Sequence, residues 1–276
     1  MIDHVIKKAM DNVVFLKGEI RERKKIGVLY HRLKIFLPQP INSITPGQFT
    51  MVMLDDGGET VLPRPFSFHN FEADNKVYWF DIIFKVVGIG TERMAKLPVG
   101  SSVKILAPLG NGFPEPPPHS KVLLIAGGMG IAPLFALIMS LKTSTIPLWL
   151  LYGAKSQSDL ICLAELFKVE GITIKIATED GTKGTKGLVT DLLEEQSDED
   201  TGQIVIYACG PEPMLKTVTE FAASNKIPCW LSLEKRMACG LGACLGCAVK
   251  TKSGYQRVCK EGPIFEAQEI VWEEDG

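Results

Sequence analysis

The chain has 276 residues, of which 46% are hydrophobic and 22% charged, with a formal net charge of -2. That is the composition of a soluble globular protein long enough for two domains and a small module, and its near-neutral balance gives no electrostatic footing for nucleic acid or an anionic membrane as main partner. The seven cysteines are odd in number, and the start, Met1-Ile2-Asp3-His4-Val5-Ile6-Lys7-Lys8, puts charges where a secretory signal needs an apolar core. Both features fit a reducing cytoplasm better than export and a disulfide framework.

Residues 12–36 contain two runs rich in Val, Ile, Leu and Phe, separated by the charged stretch Arg21–Lys25, which reads as a turn. Further strand-like pieces follow at 48–54, 64–68, 77–87 and 102–106. Short strands at this spacing, punctuated by Gly and Pro, predict a closed antiparallel β-barrel over residues 1–112, closure removing the exposed edges.

Two stretches within the barrel have the chemistry of a flavin diphosphate site. Arg64-Pro65-Phe66-Ser67 sets a guanidinium able to hold a phosphate bidentately beside an apolar ring and a hydroxyl suited to a flavin ring or ribityl chain. Lys85-Val86-Val87-Gly88-Ile89-Gly90-Thr91 leaves a strand, turns on glycine and opens a short helix predicted over 92–97. Its free N–H groups and the threonine hydroxyl make an anion site. Together they read as the two halves of a pyrophosphate clamp.

After the Pro-rich stretch Phe113–Pro118 the pattern changes. Strands at 121–126, 147–152, 172–177, 203–208 and 228–233 alternate with helices at 131–142, 159–170, 187–195 and 212–225, which predicts a parallel α/β sheet with helices on both faces over residues 119–230. Val122–Met139 is uncharged and near the lower limit for a membrane span. Gly127, Gly128, Gly130 and Pro133 interrupt it, so strand, turn and buried helix are the better reading.

That turn, Gly127-Gly128-Met129-Gly130-Ile131-Ala132-Pro133, lets a pyrophosphate approach the backbone, with Pro133 suited to the first helical turn. It departs from the dinucleotide fingerprint: the third glycine is missing, and the second strand ends in Gly153-Ala154-Lys155-Ser156 without an immediate acid for a ribose hydroxyl. Lys155 even suits a 2'-phosphate, so the chemistry leaves NAD and NADP open. Cys209-Gly210-Pro211 belongs to the same carboxyl edge and is placed to close over a nicotinamide, although Cys209 equally fits a buried small residue. Glu179 and Asp180 read as solvated loop charges. None of the four histidines falls in a convincing catalytic setting, and no catalytic residue is assigned; His69, beside the first flavin motif, is the one worth inspecting.

The tail, residues 231–276, carries Cys239, Cys244, Cys247 and Cys259, with four, two and eleven residues between them. The tight C-x4-C-x2-C run with a distant fourth cysteine has the plant-type spacing for a 2Fe-2S cluster. Zinc sites usually present two separated C-x2-C pairs, and only one is found here. Gly240, Gly242 and Gly246 let the loop bend around inorganic sulfide. Cys162, Cys209 and Cys229 sit among apolar neighbours in the sequence and read as free buried thiols.

Taken in order, Arg64–Ser67, Gly88–Thr91, Gly127–Pro133 and Cys209–Pro211 resemble the ferredoxin-NADP reductase superfamily, and Glu234–Cys247 continuing to Arg257–Phe265 is similar to the electron-transfer subunits of type B, NAD-dependent dihydroorotate dehydrogenase. The resemblance implies an FAD-binding barrel, an NAD-binding domain and a C-terminal 2Fe-2S module. It implies FAD contacts from Arg64, Pro65, Phe66, Ser67, Ile83, Phe84, Lys85, Gly90 and Thr91, and cluster ligation by Cys239, Cys244, Cys247 and Cys259. It further implies a partner subunit with FMN that oxidises dihydroorotate, in a heterotetramer of two of each. Electrons would pass from FMN through the cluster to FAD and leave as hydride on NAD. The same scaffold also serves as electron-transfer subunit to a hydrogenase or in a ferredoxin:NADP oxidoreductase. Phe66 stands where related reductases often carry tyrosine.

Overall fold

The computed structural model describes residues 13–55, 62–72, 76–193 and 203–272. The first twelve residues of the predicted barrel, including His4, and positions 194–195 of a predicted helix lie outside them.

Seven antiparallel strands form the N-terminal unit: β1 (Val14–Lys25), β2 (Tyr30–Asn42), β3 (Phe49–Leu54), β4 (Arg64–Ser67), β5 (Asn70–Phe71), β6 (Lys76–Lys85) and β7 (Ser102–Leu109). Their order is β4-β3-β7-β1-β2-β6-β5. Strands β4 and β5 are two ends of one short segment. Between them Phe68 N–H donates to the Gln48 carbonyl (3.2 Å) and His69 N–H to the Asp81 carbonyl (2.9 Å), so the segment leaves one edge and joins the other, closing the roll. Ile20, Leu33, Ile35, Phe68, Phe80, Ile82 and Ile105 fill the interior with no exposed surface, and Phe68 meets Phe80 edge to face at 4.9 Å.

The charged run Arg21–Lys25 is strand rather than turn. It pairs with β2 as far as Lys25 opposite His31, and the chain reverses only at 26–29. Exposed on both faces, this ribbon has no core to fill, so charged side chains cost it nothing.

The second sheet contains β8 (Lys121–Gly127), β9 (Leu148–Ala154), β10 (Ile172–Thr178), β11 (Thr185–Lys186), β12 (Ile204–Cys209) and β13 (Cys229–Ser232), all parallel. A hairpin, β14 (Ala248–Thr251) with β15 (Gly254–Arg257), precedes β16 (Ile264–Glu266), which pairs antiparallel with β13. The order β11-β10-β9-β8-β12-β13-β16 reverses direction between β8 and β12, the switch point where ligands bind in such sheets. β8 shows why its sequence is apolar from Val122 onward: Leu123 and Ile125 point to one core, Val122, Leu124 and Ala126 to the other. Helix α1 (Ile89–Lys96) belongs to the barrel unit; α2 (Ile131–Leu141) covers one face of the parallel sheet and α4 (Glu212–Ser224) the other, while α3 (Leu163–Leu166) is a single turn.

Two predicted helices are shorter than their sequence pattern. Over 159–170 only α3 and the end of a preceding 3-10 turn form, because Leu160 and Ile161 enter the core from a non-helical turn, Ile161 N–H donating to the Tyr152 hydroxyl (3.1 Å). Over 187–195 the described residues give a 3-10 turn at Val189–Leu192, which Gly187 enters at φ +140. The Pro-rich connection is ordered by packing: Phe113 is buried against Tyr207, whose hydroxyl donates to the Pro114 carbonyl at 2.9 Å.

Gly130 is where β8's turn crosses the end of β12; a Cβ there would lie 1.9 Å from the Cys209 carbonyl oxygen. Gly130→Ala is expected to cost about 3 kcal/mol through overpacking against backbone. Gly128→Ala, at φ +53 with open space around it, should cost only about 1 kcal/mol. Comparing the thermal unfolding midpoints of the two variants checks this, and equal shifts would refute the packing account.

Candidate functional site

A cavity of about 1040 Å³ opens where all three parts of the chain meet. From the barrel it is lined by Arg64, Pro65, Phe66 and Ser67 of β4, by Ile83, Phe84 and Lys85 ending β6, and by the turn Gly88–Thr91 that starts α1; Met129 and Ala132 come from the parallel sheet, and Ser232–Met237 from the passage into the cysteine module. Every predicted flavin residue is therefore brought together. The two halves of the clamp touch: a Cβ on Gly90 would fall 1.9 Å from the Arg64 guanidinium carbon, so only glycine lets that cation lie on the start of α1. Both present positive potential to one point. Thr91 plays a different part. Its hydroxyl accepts from Val87 N–H (2.9 Å) and Gly88 N–H (3.2 Å) and donates to the Gly88 carbonyl (2.9 Å), so it braces the turn. Ser232–Met237 went unread as pocket residues, although their place after the carboxyl end of β13 was a usable signal.

A second cavity, about 560 Å³, lies at the switch point and is lined by Gly127, Gly128, Met129 and Gly130, by Gly153–Lys155, Asp159 and Glu179, and by Gly210 and Pro211. The glycines divide the work. Gly128 faces open space, whereas Cβ atoms on Gly127 and Gly130 would strike Pro211 and Cys209 respectively. Pro133 and Cys209 are not among the residues lining this cavity; Pro133 sits buried in the first turn of α2, and Cys209 is fully buried, its thiol pushed up by that burial. Glu179 and Asp180 are both exposed, as expected of loop charges; Glu179 also borders the cavity, and Asp180 accepts from Thr182 N–H (3.0 Å) and hydroxyl (2.6 Å) to tie the loop.

The two cavities share Lys85, Met129 and Glu234. At that junction the Tyr30 hydroxyl donates to Asp159 (2.6 Å), and Lys85 Nζ lies 3.8 Å from the same carboxylate. The Tyr30 hydrogen bond, assisted by Ser156 and Lys85, holds Asp159 below the usual carboxylate range, outweighing its burial. Asp159 thus joins the barrel to the α/β domain as an anion.

Cys239 neighbours Cys244, and Cys259 neighbours Cys247; Leu241 N–H donates to Cys239 Sγ at 3.4 Å. Burial raises Cys239, but N–H groups of Leu241, Cys244 and Ala243 together with the Cys244 thiol outweigh it and bring the thiol down to about 6. Burial and the neighbouring Cys247 push Cys259 up to about 12, even though Gly242 N–H donates to its sulfur at 3.1 Å; a bound metal must displace that proton. Arg257 braces the loop, donating to the Gly242 carbonyl (2.8 Å) and ion-pairing with Glu261. Four neighbouring cysteines, two of them receiving backbone N–H donors, suit an iron–sulfur cluster. The loop lies against the barrel: Gly240, at φ +70, leaves room only for Met51 of β3, 2.6 Å from where its Cβ would be.

A flavin-sized cavity on a barrel, a nucleotide cavity at a parallel-sheet switch point and a four-cysteine module define an oxidoreductase that moves electrons between bound cofactors. Residues 124–220 match the model of the oxidoreductase NAD-binding domain, and residues 234–271 that of the iron-sulfur cluster binding domain of dihydroorotate dehydrogenase B. The chain is 40% identical over 233 residues to the dihydroorotate dehydrogenase B (NAD(+)) electron transfer subunit of Caldanaerobacter subterraneus subsp. tengcongensis, covering 82% of this chain and 87% of that one. It is 36% identical over 258 residues to the homolog of that subunit from Aquifex aeolicus, covering 93% and 98%. Among solved structures, one of the NADH-dependent reduced ferredoxin-NADP oxidoreductase aligns with a TM-score of 0.79 at 28% identity, covering 92% of this chain and 90% of the other. The chain belongs to the family of dihydroorotate dehydrogenase B electron transfer subunits, and its cofactors are FAD, a 2Fe-2S cluster and NAD. No helix among the described residues is long and apolar enough to cross a membrane.

Because the methyl of Gly90→Ala would displace the flexible end of Arg64 rather than backbone, the fold should survive. FAD affinity should fall about tenfold to a hundredfold, the value of one lost charge-assisted contact of about 1.5–3 kcal/mol. Titration of the deflavinated variant with FAD measures it; unchanged affinity would remove Arg64 from the clamp.

Proposed function

We propose that this chain is the NAD-linked electron-transfer subunit of a cytoplasmic dihydroorotate dehydrogenase, working beside an FMN-containing catalytic subunit in a heterotetramer of two of each. The observation that carries the reading is the order of the sites. The flavin cavity shares Lys85, Met129 and Glu234 with the nucleotide cavity, and at its other end Met237, one of its lining residues, stands two positions before Cys239.

When bound, FAD exchanges hydride with a nicotinamide and single electrons with the cluster, and so joins two-electron to one-electron chemistry. In this assignment Arg64 and the N–H groups opening α1 hold the flavin diphosphate, Pro65, Phe66 and Ser67 line the ring, and the Ile83–Lys85 strand end supports it. Gly128, Gly210 and Pro211 admit the nicotinamide nucleotide. Cys239, Cys244, Cys247 and Cys259 ligate the cluster. No side chain is assigned an acid–base role, since hydride transfer needs none. The proposed units are residues 1–112, 119–230 and 231–276.

A ferredoxin:NADP oxidoreductase role is the alternative favoured by the structural match over nearly the full chain. Adding dihydroorotate, NAD and an FMN-binding partner subunit to the chain separates the two: NADH formation supports the first reading, and reconstitution only with ferredoxin overturns it.

In the nucleotide cavity Asp159 and Glu179 oppose Lys155, and two carboxylates near a ribose favour a 2'-hydroxyl over a 2'-phosphate. NADH should be preferred to NADPH in diaphorase assays, and Glu179→Gln should narrow the preference about tenfold, as expected for a contact of about 1.4 kcal/mol; an unaltered ratio would remove Glu179 from the ribose site. Cys244→Ser should lose the cluster while keeping FAD and NADH oxidation by an artificial flavin acceptor. Transfer to the partner should fail in the same variant, and loss of both activities would contradict the order of cofactors.

A further inference from the structure

The seam between barrel and α/β domain contains a side-chain cluster that neither cofactor cavity uses. A ring nitrogen of His69, the Cys162 sulfur and a Glu165 carboxylate oxygen lie within 4.8 Å of one another. We propose that they form a binding site for one borderline-soft divalent cation, with Zn2+ as the type ion, which clamps the flavin barrel to the nicotinamide domain.

The histidine is oriented as a ligand. His69 is fully buried in the segment that closes the barrel, stacked on Phe135 of α2 at 4.3 Å. Its Nδ1 faces the Ala132 carbonyl at 3.4 Å and its Nε2 faces Cys162 Sγ at 3.8 Å. A proton on Nδ1 shared with a carbonyl leaves the Nε2 lone pair aimed at the thiol, the arrangement found in metal-bound histidines. Tetrahedral zinc with its usual bond lengths holds a nitrogen and a sulfur ligand about 3.6 Å apart, so little movement is needed.

The second domain presents the other two donors on one turn. Cys162 adopts φ +62, a left-handed conformation that cysteine rarely takes, at the entrance to α3; Glu165 follows at the i+3 position of the same face. Burial pushes the Cys162 thiol up to about 12, so it stays protonated until a metal displaces the proton to solvent. Both residues are half-buried, which leaves an entry path and a fourth position for water.

Arg32 pairs with Glu165 at 2.5 Å and must be re-accommodated. The structure provides for that. Asp81 is buried beside Arg32, its Oδ1 has no hydrogen-bond partner, and its nearest cation, Lys34, stands 4.0 Å away. When Glu165 turns to the metal, Arg32 can turn to Asp81. Thiolate and carboxylate then balance the two charges of the cation, and the orphaned oxygen gains a donor.

The test uses the full chain with FAD and cluster bound, equilibrated with a modest molar excess of Zn2+, desalted and assayed for zinc, iron and flavin. One zinc per chain beyond the iron is expected, with a rise in unfolding temperature on zinc addition. Cys162→Ser and His69→Gln should retain flavin and iron, lose the thermal response, and bind zinc more weakly by more than the ~10–100-fold that removal of an outer-shell partner costs. Co2+ in place of Zn2+ should give a thiolate-to-metal absorption in the difference spectrum that Cys162→Ser abolishes. If no zinc is retained, or if Cys162→Ser and His69→Gln hold as much as the parent, the proposal is wrong. Should one variant fail to keep its flavin, the other supplies the comparison.

Discussion

Three residue pairs decide where the redox chain of this molecule runs: Trp230 opposite Glu266, Leu231 opposite Phe265 and Ser232 opposite Ile264, the antiparallel ladder between β13 and β16. A small cysteine-rich module has little apolar surface with which to fix its own orientation. Here it borrows the edge of the parallel sheet, capping an otherwise open strand and burying Phe265, Val258 and Cys259 in the same core as Leu231 and Ala208. The chain leaving β13 is thereby forced along the larger cavity, from Ser232 to Met237, before it reaches Cys239. The nearness of this cavity to the cysteine module follows from strand pairing.

The contact is reinforced from the barrel side. Met51 and Leu109 of the barrel belong to the core that also holds Cys247 and Cys259, and the positive-φ Gly240 lets the cluster loop settle on Met51. A packed apolar interface of this kind is rigid, which suits a relay whose donor and acceptor should keep a fixed separation. Lys85, Tyr30 and Asp159 perform the corresponding task toward the nicotinamide side with charge instead of packing, and a polar seam of that sort is the easier one to open. The two sides of the cavity therefore differ in chemistry: apolar packing toward the cysteine module, charge and hydrogen bonds toward the second cavity.

Most of this was readable in the amino-acid order, because the motifs depend on local rules. Strand–turn–helix glycine patterns at 88–91 and 127–133 and the cysteine spacing encode backbone shape within a few residues. What escaped depended on tertiary context. The ribbon Arg21–Lys25 looked like a turn because nothing in it is apolar, yet an exposed hairpin needs no apolar face. The helix expected over 159–170 is broken by Leu160 and Ile161 serving a core that only the assembled sheet creates. Cys162 looked apolar by its sequence neighbours but faces His69 and Glu165 in space. Thr91, read as part of the flavin motif, spends its hydroxyl on the turn backbone.

The glycines show how a single residue type is used for opposite ends. Gly90 leaves room for the Arg64 guanidinium and Gly128 borders open space, whereas Gly127 and Gly130 are required because space is already taken by Pro211 and Cys209. A fingerprint written only as glycine positions cannot separate these roles. The missing third glycine of the nucleotide motif is a case in point: that glycine serves close helix–strand packing, and Pro133 stands in the buried first turn of α2 where its missing N–H and fixed φ cost nothing. The departure from the fingerprint therefore bears on how α2 is seated and leaves untouched Gly128, which borders open space in the cavity.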